Sequence, residues 1–224
     1  MQDKTVQLIQ NITTVGTIAL GLTALYMSFP GPNVAMLLLA LVTLGTAYDF
    51  FSHIIGRGVT EPRPSLLLYA KFNFAALCFG IPFTSLAASF VVAEIVPDGI
   101  SATLAGYWLE LLIGSVLFGS LFFFAKYKTF VMHGGIEYTL DKSDRYTKII
   151  FVTRRVLLAI AVVVSLVAVY EGLGSSMIWW TIAYAVLFVA TIPLHIMHRP
   201  IASMLAEAAT LLVLFYGTSR VFYM

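Results

Sequence analysis

The 224 residues are 60% hydrophobic and only 11% charged, with a net charge of +2 and a mean hydropathy of +0.93. About a quarter of the residues in a soluble domain are charged, so this chain has too few charges to clothe a water-facing surface, and lipid is the solvent that suits it. The small net charge excludes an electrostatically driven nucleic-acid partner, and the single cysteine, Cys78, excludes an intrachain disulfide.

A membrane-spanning helix needs roughly 20 predominantly apolar residues. Backbone groups in hydrocarbon must hydrogen-bond within their own segment, so each such run reads as a helix. The first covers residues 6–29 and ends at Pro30-Gly31-Pro32. It lacks the short apolar core and small-residue cleavage site of a signal peptide, which predicts a retained membrane helix. The second run covers 33–55 and the third 65–95, with Pro82 inside it as a source of kinking. The fourth covers 106–125. A polar link follows from 126 to 148, containing Gly134-Gly135 and too short for a domain, and it reads as a loop. The fifth, sixth and seventh runs cover 149–170, 176–197 and 201–222. The predicted fold is an all-α integral membrane protein, a bundle of about seven transmembrane helices in a single polytopic domain.

Charge is sorted between the two sides of such a bundle. The side holding the N-terminus carries twelve Lys and Arg residues against seven carboxylates, and the opposite side carries one cation against four. Cationic loops stay in the cytoplasm. This predicts a cytoplasmic N-terminus and a C-terminus on the opposite side. Tyr107, Trp108, Trp179, Trp180, Phe222 and Tyr223 fall at the outer ends, where interfacial anchors are expected.

All four histidines fall on the predicted cytoplasmic side. Asp49 and His53 are spaced i, i+4 and share a helix face. His195 and His198 close the sixth run, and His133 sits in the polar link. Lys71 and Glu207 each lie about two turns into a helix, deep enough to require a partner or a water-filled cavity. Asp49, His53, Lys71, His195 and Glu207 are therefore the candidates for a transport vestibule. Ion pairing between helices and snorkelling to the interface account for the same residues without transport.

Asp49, His53, His195 and His198 are also ligand types that zinc or iron takes. On that reading the chain is an intramembrane metal-dependent enzyme, a lipid hydrolase for example, or a haem-binding subunit. A membrane haem, however, calls for histidines on facing helices, and these lie near helix ends. No phosphate-binding glycine loop, cysteine cluster or Gly-x-Ser-x-Gly is present, so the sequence leans away from an enzyme and implies no cofactor outright. A non-catalytic scaffold for other membrane subunits, or a homo-oligomer, is the remaining class.

Two segments read as repeats. His53-Ile54-x-x-Arg57 matches His195-Ile196-x-x-Arg199, each is followed by a proline, and Lys71 and Glu207 each come seven residues after that proline. The implied units are residues 5–95 and 147–224, parallel in the membrane, with helix 106–125 as a linker. Parallel repeats of this kind flank a central substrate site in transporters. The three-one-three layout is similar to that of the small seven-helix sugar transporters in layout only: their proline–glutamine motif is absent, and the orientation predicted here is the reverse of theirs. The leading expectation is a small helical transporter or channel, or the membrane subunit of a transport assembly.

Overall fold

Apolar runs with no water to bond their backbone close their hydrogen bonds internally, and helix dominates this computed structural model accordingly. It describes residues 4–29, 33–55, 59, 61–132, 135–196 and 200–223; the side chains of 52, 53, 77–81, 131, 132, 135, 192, 195, 196 and 200 fall outside the description. In chain order the elements are α1 (Lys4–Ser28), α2 (Val34–Ile55), α3 (Pro64–Ile95), α4 (Ile100–Gly106) and α5 (Trp108–Ser120). A 3-10 turn (Leu121–Phe123) leads to β1 (Tyr127–Met132) and β2 (Gly135–Leu140). The chain then continues through α6 (Arg145–Leu173), α7 (Ile178–Ile196) and α8 (Pro200–Tyr223).

Among the described residues four helical segments are long and apolar enough to cross a membrane: Lys4–Ser28, Val34–Phe51, Arg145–Leu173 and Ile201–Tyr223. A fifth is the bent pair Ile100–Gly106 and Trp108–Phe123, whose halves meet at 58°. Pro82–Ile95 and Ile178–Thr191 are apolar but shorter. The fourth run was expected to be a continuous helix and is instead broken at Tyr107. The start of α4 is tied to α6: the Glu171 carboxylate accepts from the Ile100 and Ser101 N–H groups at 2.6 and 3.0 Å. Those N–H groups belong to a helix terminus, which has no internal partner for them.

The polar link is the second departure from expectation. Residues 127–140 pair as an antiparallel hairpin, with Tyr127 opposite Leu140 and Met132 opposite Gly135. Aromatic and β-branched residues on both sides of His133-Gly134 favour strands. The hairpin is anchored rather than free. Ile136 N–H donates to the Val59 carbonyl at 3.0 Å, Tyr138 Oη donates to the Arg63 carbonyl at 3.4 Å, and Ile136 and Leu140 are buried. At its exit Asp144 caps α6, accepting from Thr147 N–H at 3.0 Å, and pairs with Lys126 Nζ at 2.9 Å.

Helix α1 packs on α2, α2 on α3, α3 on α6, α6 on α7 and α7 on α8, while α8 returns against α1, α2 and α3. Six long helices thus close a ring, and α4 and α5 lie outside it against α3. Packing runs in the same order through α1-α2-α3 and through α6-α7-α8. Leu38, Leu39, Val42, Phe83, Leu86, Val91, Tyr184 and Leu214 form the interior. Hydroxyls buried there find partners inside the bundle, as hydrocarbon requires. Ser165 Oγ donates to Ser85 Oγ at 2.8 Å and lies 2.9 Å from Tyr184 Oη, and Ser85 Oγ donates to the Ala161 carbonyl. This chain joins α3, α6 and α7.

The aromatic belt divides. Trp179 is exposed, as an interfacial anchor would be, but Trp180 is buried and its Nε1–H donates to the Val213 carbonyl at 2.7 Å. Successive residues on a helix point about 100° apart, and here Trp179 faces outward while Trp180 turns toward α8. Gly217 provides the room for Trp180, since a Cβ there would collide with the indole. Gly217→Ala is expected to cost about 1–3 kcal/mol and to lower the thermal midpoint in detergent. Gly16→Ala, with open space around its position in α1, serves as the control and should not lower the midpoint, since alanine favours a helix over glycine.

Asp144 gives a second expectation. The Thr147 N–H first, and then the Lys126 ammonium, hold its carboxyl down at about 2. A carboxyl lowered on folding stabilises the folded form above its unfolded pKa, near 3.9, and loses that effect as pH falls through the folded value. Hydrogen exchange at Thr147 N–H should therefore stay slow down to about pH 4 and lose protection between there and about pH 2. In Asp144→Ala it should be fast throughout.

Candidate functional site

The sequence points to charged residues at one end of the bundle, and the ring of helices sets which of them meet. Asp49 lies near the end of α2, and Asn73 lies on the facing part of α3. Asn73 Nδ2 donates to Asp49 Oδ1 at 2.7 Å. The two helices are held in register beside this bond by a tyrosine pair. The rings of Tyr48 and Tyr69 stack at 4.4 Å between centroids, and Tyr69 Oη donates to the Tyr48 carbonyl at 2.5 Å while Tyr48 Oη donates to the Tyr69 carbonyl at 3.4 Å.

Glu207 approaches from α8. It is close enough to Asp49 for the two carboxylates to repel, and its Oε1 accepts from Ser203 Oγ, one turn back on the same helix, at 2.9 Å. Ser203 is buried, and Asn73 is only 8% exposed. Two consecutive helices, α2 and α3, and the last one, α8, therefore contribute Asp49, Asn73, Glu207 and Ser203 to this region. It is made mostly of oxygen acceptors, and Glu207 has a neighbouring negative charge.

Asn73 Oδ1 is buried and has no hydrogen-bond donor among the described residues. Gln10 on α1 is 4% exposed and its Oε1 is in the same condition. Gly21 on α1 packs against Leu44 on α2. Because α1 and α2 are consecutive, opposed helices, Gln10 and Asp49 both lie toward the same end from that contact.

Lys71 is placed apart from the carboxylates. Its Nζ donates to the Phe123 carbonyl at 2.9 Å, where it satisfies a terminal carbonyl of the bent α5 segment in the way a cation suits a helix C-terminus. Arg154 lies over the Phe74 ring at 5.8 Å, and Arg155 and Lys142 lie over the Phe151 ring at 4.5 and 4.1 Å. These cations occupy the hairpin end of α6.

The proposed metal set cannot be assembled from the described side chains. His53 and His195 lie on helices, but their side chains fall outside the described residues, as do His133 and His198 altogether. Among the described residues no group of three or more His, Cys, Asp and Glu side chains converges.

Of the candidates, Asp49 and Glu207 lie on α2 and α8, which pack together, and Lys71 is turned to the Phe123 carbonyl. Asn73, Ser203 and Gln10 were not anticipated. The only signal available for them was a neutral polar side chain within an apolar run, which is common enough in membrane helices to pass unnoticed beside ionisable groups. The chain matches no protein-family model and no curated protein.

Proposed function

We propose that the protein is a small helical membrane transporter or channel, or the membrane subunit of a transport assembly, with its vestibule at the end of the bundle that holds Asp49 and Glu207. The observation that carries this reading is the meeting of two carboxylates from α2 and α8 beside a buried amide from α3. Ionisable groups within membrane helices are costly and mark ion or substrate paths by default.

In the proposed arrangement the chain crosses the membrane seven times. Helices α3 and α7 complete the set formed by α1, α2, the bent α4–α5 pair, α6 and α8. The N-terminus is cytoplasmic, on the side of the basic hairpin, and the C-terminus is opposite. The units α1-α2-α3 and α6-α7-α8 would rock about the seams where α8 meets α1, α2 and α3. Reporter fusions test the crossing number and orientation: tags at Met1 and Met224 should report opposite compartments, and a shared compartment would overturn both.

Transport itself is tested in liposomes adsorbed on a solid-supported membrane. Steps in pH, NaCl, MgCl2 or CaCl2 should give a charge movement that protein-free liposomes lack. Asp49→Asn should abolish it while the variant keeps the elution volume and helical content of the parent. A full current from Asp49→Asn would remove this residue from the mechanism, and the absence of current under every step would remove the reading.

A further inference from the structure

We propose that Lys142 and Arg155, with Lys148, bind the headgroup phosphate of an anionic phospholipid whose acyl chains lie along the exposed apolar face of α6. This goes beyond the transport reading and does not rest on it, since it requires only that the hairpin end of α6 lie at the membrane surface.

The site is built on one aromatic ring. Phe151 packs against the small core of Phe122, Ala125, Leu140 and Ile150 beneath the hairpin. Lys142 Nζ lies over that ring at 4.1 Å from its centroid, and the Arg155 guanidinium at 4.5 Å. Arg155 is one turn beyond Phe151 on α6, whereas Lys142 arrives from the turn that follows β2, so the docked hairpin brings the second charge. Both cations are exposed. The ring attracts each of them but gathers two like charges around a single side chain, and an anion held by both offsets their repulsion. Neither cation forms an ion pair with a described residue. The carboxylates beside Lys142 are engaged elsewhere: Asp141 accepts from the N–H and hydroxyl of Ser143 at 3.1 and 2.7 Å, and Asp144 is taken by Thr147 and Lys126.

The surface next to the cations indicates what the anion is attached to. Lys148, Val152, Arg155, Ala159, Val163 and Leu166 succeed one another at spacings of three or four residues and are all exposed, so they form one line along α6. The line carries its cations in about its first two turns and is apolar beyond Arg155. Its helix is one of those long and apolar enough to cross a membrane. A free phosphate would use the cations alone, whereas a phospholipid uses both the cations and the apolar face that continues from them. The Arg155 guanidinium offers a fork of donors to phosphate oxygens, and the lysines add compact charge. Residues 126–155 carry seven Lys and Arg against three carboxylates, a balance that selects an anionic headgroup over a zwitterionic one.

The test is native mass spectrometry of the purified protein in detergent, titrated with phosphatidylglycerol or with phosphatidylcholine of the same acyl chains. The parent is expected to retain one phosphatidylglycerol at concentrations where phosphatidylcholine is lost. Lys142→Gln and Arg155→Gln should each weaken that binding about fivefold, the effect expected of one cation near an anionic surface. Lys128→Gln removes the same charge from an exposed position on β1 and should leave the binding unchanged. Equal retention of the two lipids by the parent overturns the proposal without reference to any variant. An equal loss in Lys128→Gln overturns it too, since it would mark a diffuse field of charge. So does displacement of the lipid by ammonium phosphate but not by ammonium acetate at the same ionic strength, which would mark a site for a free anion. Because binding is read without flux, its failure leaves the transport reading standing, and an absence of current leaves this site standing.

Discussion

Hydrocarbon offers no hydrogen bonds, and that constraint governs both the fold and the site. It turns every long apolar run into a helix, because only helix closes the backbone within one segment. It also decides where polar side chains go. Threonine hydroxyls along α1, α2 and α8 fold back onto carbonyls one turn earlier, as Thr14, Thr43, Thr210 and Thr218 do. Ser85, Ser165 and Tyr184 solve the same problem between helices. Among the described residues four buried side-chain atoms lack a hydrogen-bond partner: the amide oxygens of Gln10 and Asn73 and the hydroxyls of Ser101 and Ser219.

The same constraint explains why the carboxylates matter. A carboxylate in a membrane bundle is retained when something repays its desolvation. Glu171 is repaid by two backbone N–H groups at the start of α4, and Asp144, outside the membrane, by a helix N-terminus and a lysine. Glu207 has a hydroxyl and a like charge instead. Two of these carboxylates build structure.

The helices were largely legible in the sequence, because apolar run length is a local signal. The helices α1, α2, α3, α6, α7 and α8 begin and end within a few residues of the runs that announce them. What was not legible depends on tertiary contact. The start of α4 is capped by Glu171, which lies far along the chain. The hairpin at 127–140 has strand-forming residues on both sides of its turn, but it was masked by its polarity and its glycines. The burial of Trp180 depends on the absence of a side chain at Gly217. In the site, Asp49 and Glu207 could be singled out as ionisable residues in apolar surroundings, whereas the role of Asn73 emerges only once α3 is laid against α2. Lys71 looked equivalent to Glu207 by its distance from a proline, yet it reaches a different helix end.

The account stands on Asp49 and Glu207 occupying one place between α2 and α8. With Cys78 replaced, Asp49→Cys combined with Glu207→Cys can be treated in membranes with a short bifunctional thiol reagent, using a cysteine pair at Met27 and Tyr223 as the positive control. That control pair reports the contact in which Tyr223 Oη donates to the Met27 carbonyl. Efficient intramolecular cross-linking of both pairs is the predicted result. Cross-linking of the control pair with none between positions 49 and 207 would contradict the shared site.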